Sequence, residues 1–109
     1  MTVREMAEKL SLKPLSAADG ERAVEGVYIG DLLSWVMGRA SSGDVWITIM
    51  SNINIVAVAT LADVACIVLA EGVTLDENVR LTAEQKGVNV YTTDMTAYEV
   101  AAALATAQK

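Results

Sequence analysis

Residues 53–72 read INIVAVATLADVACIVLAEG, with Asp63 and Glu71 as the only charges. A membrane span needs about 20 apolar residues, so length alone admits that reading. The details oppose it. Asn54, Thr60 and Asp63 interrupt the run, and no Lys or Arg flanks it closely. Spans carry ionisable groups rarely and basic residues at their ends. The stretch is better divided near Asp63 into a buried helix, 53–62, and a strand, 65–70. Ahead of it stand the strand-like Val45-Trp46-Ile47-Thr48-Ile49-Met50 and a polar corner, Ser51-Asn52. Strand, polar corner, buried helix and strand in succession form the middle of an α/β domain, where ligands sit outside the carboxyl ends of the strands.

The same alternation extends outward. Thr2 and Glu5 form a capping box ahead of a helical stripe of Val3, Met6, Ala7 and Leu10. Pro14 keeps residues 13–16 out of a central ladder. A strand is expected at 24–29. A helix then opens at Asp31, whose charge suits a helix N-terminus, with Leu32, Leu33, Val36, Met37 and Ala40 on one face and Trp35 outside it. Further expected elements are a helix at 76–86 closed by Gly87, a strand at 88–91, and a last helix to about residue 108 behind a second capping box, Thr96 and Glu99. The pattern predicts a single-domain α/β fold, three-layer-like, with a mainly parallel sheet and flanking helices. One domain over residues 1–109 is expected, with 1–12 as an N-terminal helical extension.

Composition excludes several classes of function. The net charge is −6, with no basic cluster to offset it, which opposes nucleic-acid binding. Histidine is absent, and with it the commonest general base and metal ligand. Cys66 is the one cysteine and lies in an apolar run, as a buried structural thiol does; a single cysteine forms no internal disulfide and fits a reducing cytoplasm. Residues 1–10 carry Arg4, Glu5, Glu8 and Lys9 and lack the apolar region of a secretory signal. The expected setting is cytoplasmic, without a membrane anchor.

Several local signatures resemble the DRTGG domain, a small α/β module similar to the N-terminal domain of HPr kinase/phosphorylase. They are Val24-Glu25-Gly26-Val27-Tyr28-Ile29-Gly30-Asp31, Val45-Trp46-Ile47-Thr48, Asn54-Ile55-Val56-Ala57-Val58-Ala59, and Tyr91-Thr92-Thr93-Asp94-Met95-Thr96. The likeness covers about residues 13–104. It is nearest to short free-standing members found beside iron-only hydrogenase genes. It implies a non-catalytic regulatory module that senses a small ligand, or an adaptor for a partner enzyme of a hydrogenase or related redox system. The chain departs from the family motif at both halves. Ser51-Asn52-Ile53 stand where the family has Asp-Arg-Thr, and Glu71-Gly72 where it has Gly-Gly. A role resting on the motif arginine therefore does not transfer. No G-x-x-x-x-G-K-[ST] phosphate loop accompanies the resemblance, so no kinase activity follows from it.

The corner 48–54 is the expected site for a nucleotide or other small ligand. Thr48, Ser51, Asn52 and Asn54 belong to the corner itself; Glu71 and Gly72 follow the neighbouring strand, and Thr92 and Thr93 the last one. Free N–H groups and the helix dipole offer an anion site there, while simple capping by Ser51 or Asn52 accounts for the same residues. No cofactor or metal is expected. No nucleophile–base pair emerges either, which leaves a small phosphoryl- or acyl-transfer enzyme as the weakest reading. The helix at 53–62 looks apolar all round, a condition that requires burial all round. On that ground Ile55, Val58, Ala59 and Ala62, with Trp35, are expected to form a homodimer interface.

Overall fold

The computed structural model describes residues 1–108. Its elements are α1 (Val3–Leu10), β1 (Lys13–Ser16), β2 (Gly26–Ile29), α2 (Leu33–Arg39), β3 (Asp44–Thr48), α3 (Asn54–Ala62), β4 (Cys66–Leu69), α4 (Glu77–Gln85), β5 (Val90–Thr92) and α5 (Ala97–Ala107). The strands form one sheet in the order β1-β5-β4-β3-β2. Strands β2 to β5 run parallel, and β1 pairs antiparallel with β5 at the edge. The fold is thus α/β with a mainly parallel sheet, as the alternation implied.

Alternation of side chains across each strand divides the core in two. Val45, Ile47, Cys66, Val68 and Tyr91 face α1 and α5, which contribute Val3, Met6, Val100 and Leu104. Trp46, Ile67, Leu69 and Val90 face the opposite layer, with Val36, Ile55, Val56, Val79 and Ala83. The central strands β3 and β4 are buried along their whole length, as parallel strands covered on both faces must be. Both capping boxes form: Thr2 with Glu5 on α1, and Thr96 with Glu99 on α5. Among the described residues no helix is long and apolar enough to cross a membrane.

Two expectations need correction. Ile55, Val58 and Ala59 are buried inside the chain itself, and Ala62 is half-buried. Helix α3 is packed between α2 and α4 as well as against the sheet, so Ile55, Val58 and Ala59 are covered without a second subunit. Its exposed apolar residues are Ala57 and Leu61, with Ile53 exposed at its N-cap, while Trp35 on α2 is exposed with the Arg39 guanidinium 3.7 Å from its ring centre. Asp31, in turn, does not cap α2. The N-cap is Leu32, with no side-chain hydrogen bond, because the Asp31 carboxylate is held by the end of β3.

Cys66 is fully buried, and desolvation of its thiolate pushes the thiol pKa up to about 12. Native protein is expected to give no reaction with Ellman's reagent at neutral pH, and one thiol per chain after denaturation. Rapid labelling of the folded protein would contradict this burial.

Candidate functional site

Because β3, β4 and β5 are parallel, their carboxyl ends share one edge of the sheet. At the end of β3, Thr48 is buried and its hydroxyl donates to Asp31 Oδ1 at 2.7 Å. The Ile49 N–H donates to the same oxygen at 3.0 Å, and the Met50 N–H donates to Thr48 Oγ1 at 3.2 Å. These bonds tie the segment after β2 to the corner after β3. Asn52 Oδ1 accepts from the Asn54 N–H at 2.9 Å, so Asn52 closes the turn into α3, although the N-cap position itself falls on Ile53. Ser51 is half-buried, and Asn52 and Asn54 are exposed.

After β4 the chain turns through two left-handed residues, Glu71 at φ 57° and Gly72 at φ 75°. Their amides donate to Met95 and Thr93 carbonyls, both at 2.8 Å, which brings the β4 and β5 loops together. A Cβ at Gly72 would stand 3.1 Å from an Asp94 carboxylate oxygen. Glycine is therefore favoured there by both its φ and the close approach of Asp94. Glu71 takes the first left-handed position without that freedom, where a non-glycine residue is uncommon. Thr92 is buried and its hydroxyl donates to the Val73 carbonyl at 2.6 Å. Thr93 Oγ1 accepts from the Met95 N–H at 3.2 Å.

A polar cavity of about 270 Å³ opens between these loops, lined by Ser11, Lys13, Gly72, Thr74, Thr92, Thr93 and Asp94. Of the expected residues, Gly72, Thr92 and Thr93 meet here, with Glu71 adjacent in the chain. Thr48, Ser51, Asn52 and Asn54 do not line it; they stand at the neighbouring β3 corner. Ser11, Lys13, Thr74 and Asp94 escaped sequence reasoning. Lys13 arrives because β1 runs antiparallel to β5, and its first residue pairs with Thr92 at the carboxyl edge. Only the direction of β1 signals this, and no local pattern encodes it. The lining combines hydroxyls, one ammonium and one carboxylate, groups that suit a ligand bearing both hydroxyls and an anionic oxygen.

A second hollow, of about 380 Å³, lies between α3 and α4. It is lined by Ile53, Asn54, Val56, Ala57, Thr60, Leu61, Thr82 and Lys86. The Thr60 and Thr82 hydroxyls are bonded back to the Val56 and Asn78 carbonyls of their own helices, which leaves this wall apolar.

A family model described as the DRTGG domain matches residues 5–107. Among curated proteins none matches the chain. Among solved structures it is similar to the CBS and DRTGG domains of the regulatory region of Clostridium perfringens pyrophosphatase, complexed with the activator diadenosine tetraphosphate. The TM-score is 0.73 at 15% identity, over 94% of this chain and 45% of that one. The likeness at this identity concerns the fold, and the chain spans less than half of the regulatory region it matches.

Proposed function

We propose that this chain, which belongs to the DRTGG domain family, is a non-catalytic regulatory module that acts as a homodimer and senses a small nucleotide-like ligand at the carboxyl edge of its sheet. The observation that carries the reading is the polar cavity between the β4 and β5 loops. Lys13 supplies a cation for a phosphate, Thr74 and Thr93 supply hydroxyls, and Asp94 accepts from ribose hydroxyls. Its volume of about 270 Å³ suits one ribose–phosphate unit rather than a whole dinucleotide. The β3 corner, with Thr48, Ser51, Asn52 and Asn54, lies alongside to meet the rest of the ligand. The related pyrophosphatase region, described as regulatory and complexed with an activating nucleotide, supports the choice of ligand class. Non-catalytic action accords with a chain that has no histidine and whose one thiol is buried.

Thermal-shift titration with AMP, ADP, ATP and diadenosine tetraphosphate tests the reading. A sensing module shows a melting temperature that rises with the logarithm of ligand concentration. Lys13→Met is expected to weaken binding about tenfold, the loss of one phosphate contact worth roughly 1.4 kcal/mol. Absence of a shift with all four nucleotides would overturn the nucleotide reading.

A further inference from the structure

The two edges of the sheet are built differently. β1 carries Lys13 and Pro14, both exposed, and its register with β5 slips between Pro14 and Ser16. An outward lysine, a proline and a bulge are the devices by which natural edge strands avoid pairing with another chain. β2, the opposite edge, reads Gly26-Val27-Tyr28-Ile29 and pairs regularly with β3 on its inner side alone. It contains no charge, no proline and no bulge.

The surroundings of β2 are also short of cover. Val27 and Ile29 pair with Val45 and Ile47, which points them to the face covered by α1 and α5. α5 reaches β3 on that face, and beyond it Val27 stays 39% exposed and Ile29 49%. Leu32, Trp35, Met37 and Ile49 are exposed in the adjoining segments. Six of the ten large exposed apolar side chains among the described residues thus fall between positions 27 and 49. Val27 and Ile29 stand on the α1/α5 side of the sheet, whereas Leu32, Trp35 and Met37 belong to the α2 segment, which packs on the opposite side through Val36, so exposed apolar side chains flank the β2 edge on both faces. Their summed exposure, roughly 600 Å², approaches the ~800 Å² per partner of a standard interface.

We infer that the β2 edge is the dimer interface, where a second copy of this chain docks so that two five-stranded sheets meet along antiparallel β2 strands. This rests on the homodimer reading above and names its surface. A twofold axis makes such a contact self-complementary: each copy brings the same free strand edge and the same apolar side chains, and the assembly closes at two. The area available is on the scale such a contact needs, and the guarded β1 edge leaves β2 as the one edge open to pairing.

Sedimentation velocity on the wild-type chain and on Val27→Lys and Ile29→Lys tests the assignment. Wild type is expected at twice the 11.5 kDa chain mass. Both variants are expected to sediment as monomers, with dissociation constants raised at least a hundredfold. Circular dichroism should stay native, since both side chains lie partly exposed at the rim of the sheet, where a lysine can carry its ammonium into water. Leu61→Lys, at an exposed apolar residue on α3, is expected to leave the dimer intact. Amide exchange at 27–29 should be slow in wild type and fast in the two β2 variants. A wild-type dimer indifferent to both substitutions would overturn the β2 assignment and leave the homodimer standing. A monomer at high micromolar concentration would overturn both, and oligomers that keep growing with concentration would overturn the closed twofold contact.

Discussion

Trp46→Ala is expected to destabilise the domain by about 4 kcal/mol, against a total stability of about 5–15 kcal/mol for a chain of this size. Trp46 is fully buried in β3, between β2 and β4. It belongs to the cluster that includes Val36, Ile55, Ile67 and Leu69. An alanine there removes the largest apolar surface in that layer and opens a cavity that a parallel sheet held on both sides cannot close. The indole also carries a specific bond: Nε1 donates to the Gly30 carbonyl at 2.8 Å. That bond fixes the exit of β2, and the next residue, Asp31, holds Thr48 and Ile49 at the candidate site. Trp46→Phe separates the two contributions. It keeps most of the volume and loses the N–H, at an expected cost nearer 1–2 kcal/mol. Urea unfolding followed by far-UV circular dichroism reads both values. At about 4 °C per kcal/mol the alanine variant should melt roughly 15 °C lower. A loss below 1 kcal/mol for Trp46→Ala would show that this layer is not packed as described.

What local pattern can encode was legible in the chain, and what contact across the chain decides was not. Thr2 with Glu5 and Thr96 with Glu99 announce their helices because each box spans four residues and satisfies its own orphan N–H groups. Pro14 correctly placed 13–16 at an edge, since a proline has no N–H for a central ladder. Asp31 shows the limit. Its position before a helix favours capping, yet a buried threonine hydroxyl and an amide 17 and 18 residues away take its carboxylate. Ile55, Val58 and Ala59 show another. Their pattern states that every side of α3 must be covered, but pattern cannot say whether α2 and α4 or a second subunit does so. For the site, Thr92, Thr93 and Gly72 were readable as residues following parallel strands. Lys13 and Ser11 were not, because their presence depends on β1 reversing direction.

Asn89 is the second residue whose loss should be severe, and nothing in its neighbourhood of sequence marks it. It is 3% exposed and precedes β5. Its Nδ2 donates to the Asp19 carbonyl at 2.8 Å and to the Ala65 carbonyl at 3.0 Å, while Oδ1 accepts from the Asp19 N–H at 2.7 Å. One side chain thereby closes the turn after β1 and anchors it to the entrance of β4. Asn89→Ala leaves these backbone groups without their partner, and the Ala65 carbonyl has little water to replace it. The expected cost is about 3 kcal/mol, read by the same urea transitions. Asn89→Leu restores volume without restoring a single hydrogen bond, so it should be no better. Asn89→Asp is more discriminating. It keeps an acceptor for the Asp19 N–H, but sets a buried carboxylate against two carbonyl oxygens. Desolvation and repulsion both raise the folded-state pKa of that carboxyl, so the variant should gain stability as pH falls and lose it as pH rises through that value. Asn78→Ala, at an exposed amide on α4, is the reference and should change stability by less than about 0.5 kcal/mol. If the two alanine variants unfold alike, the amide at position 89 does not hold the β1 turn to the sheet.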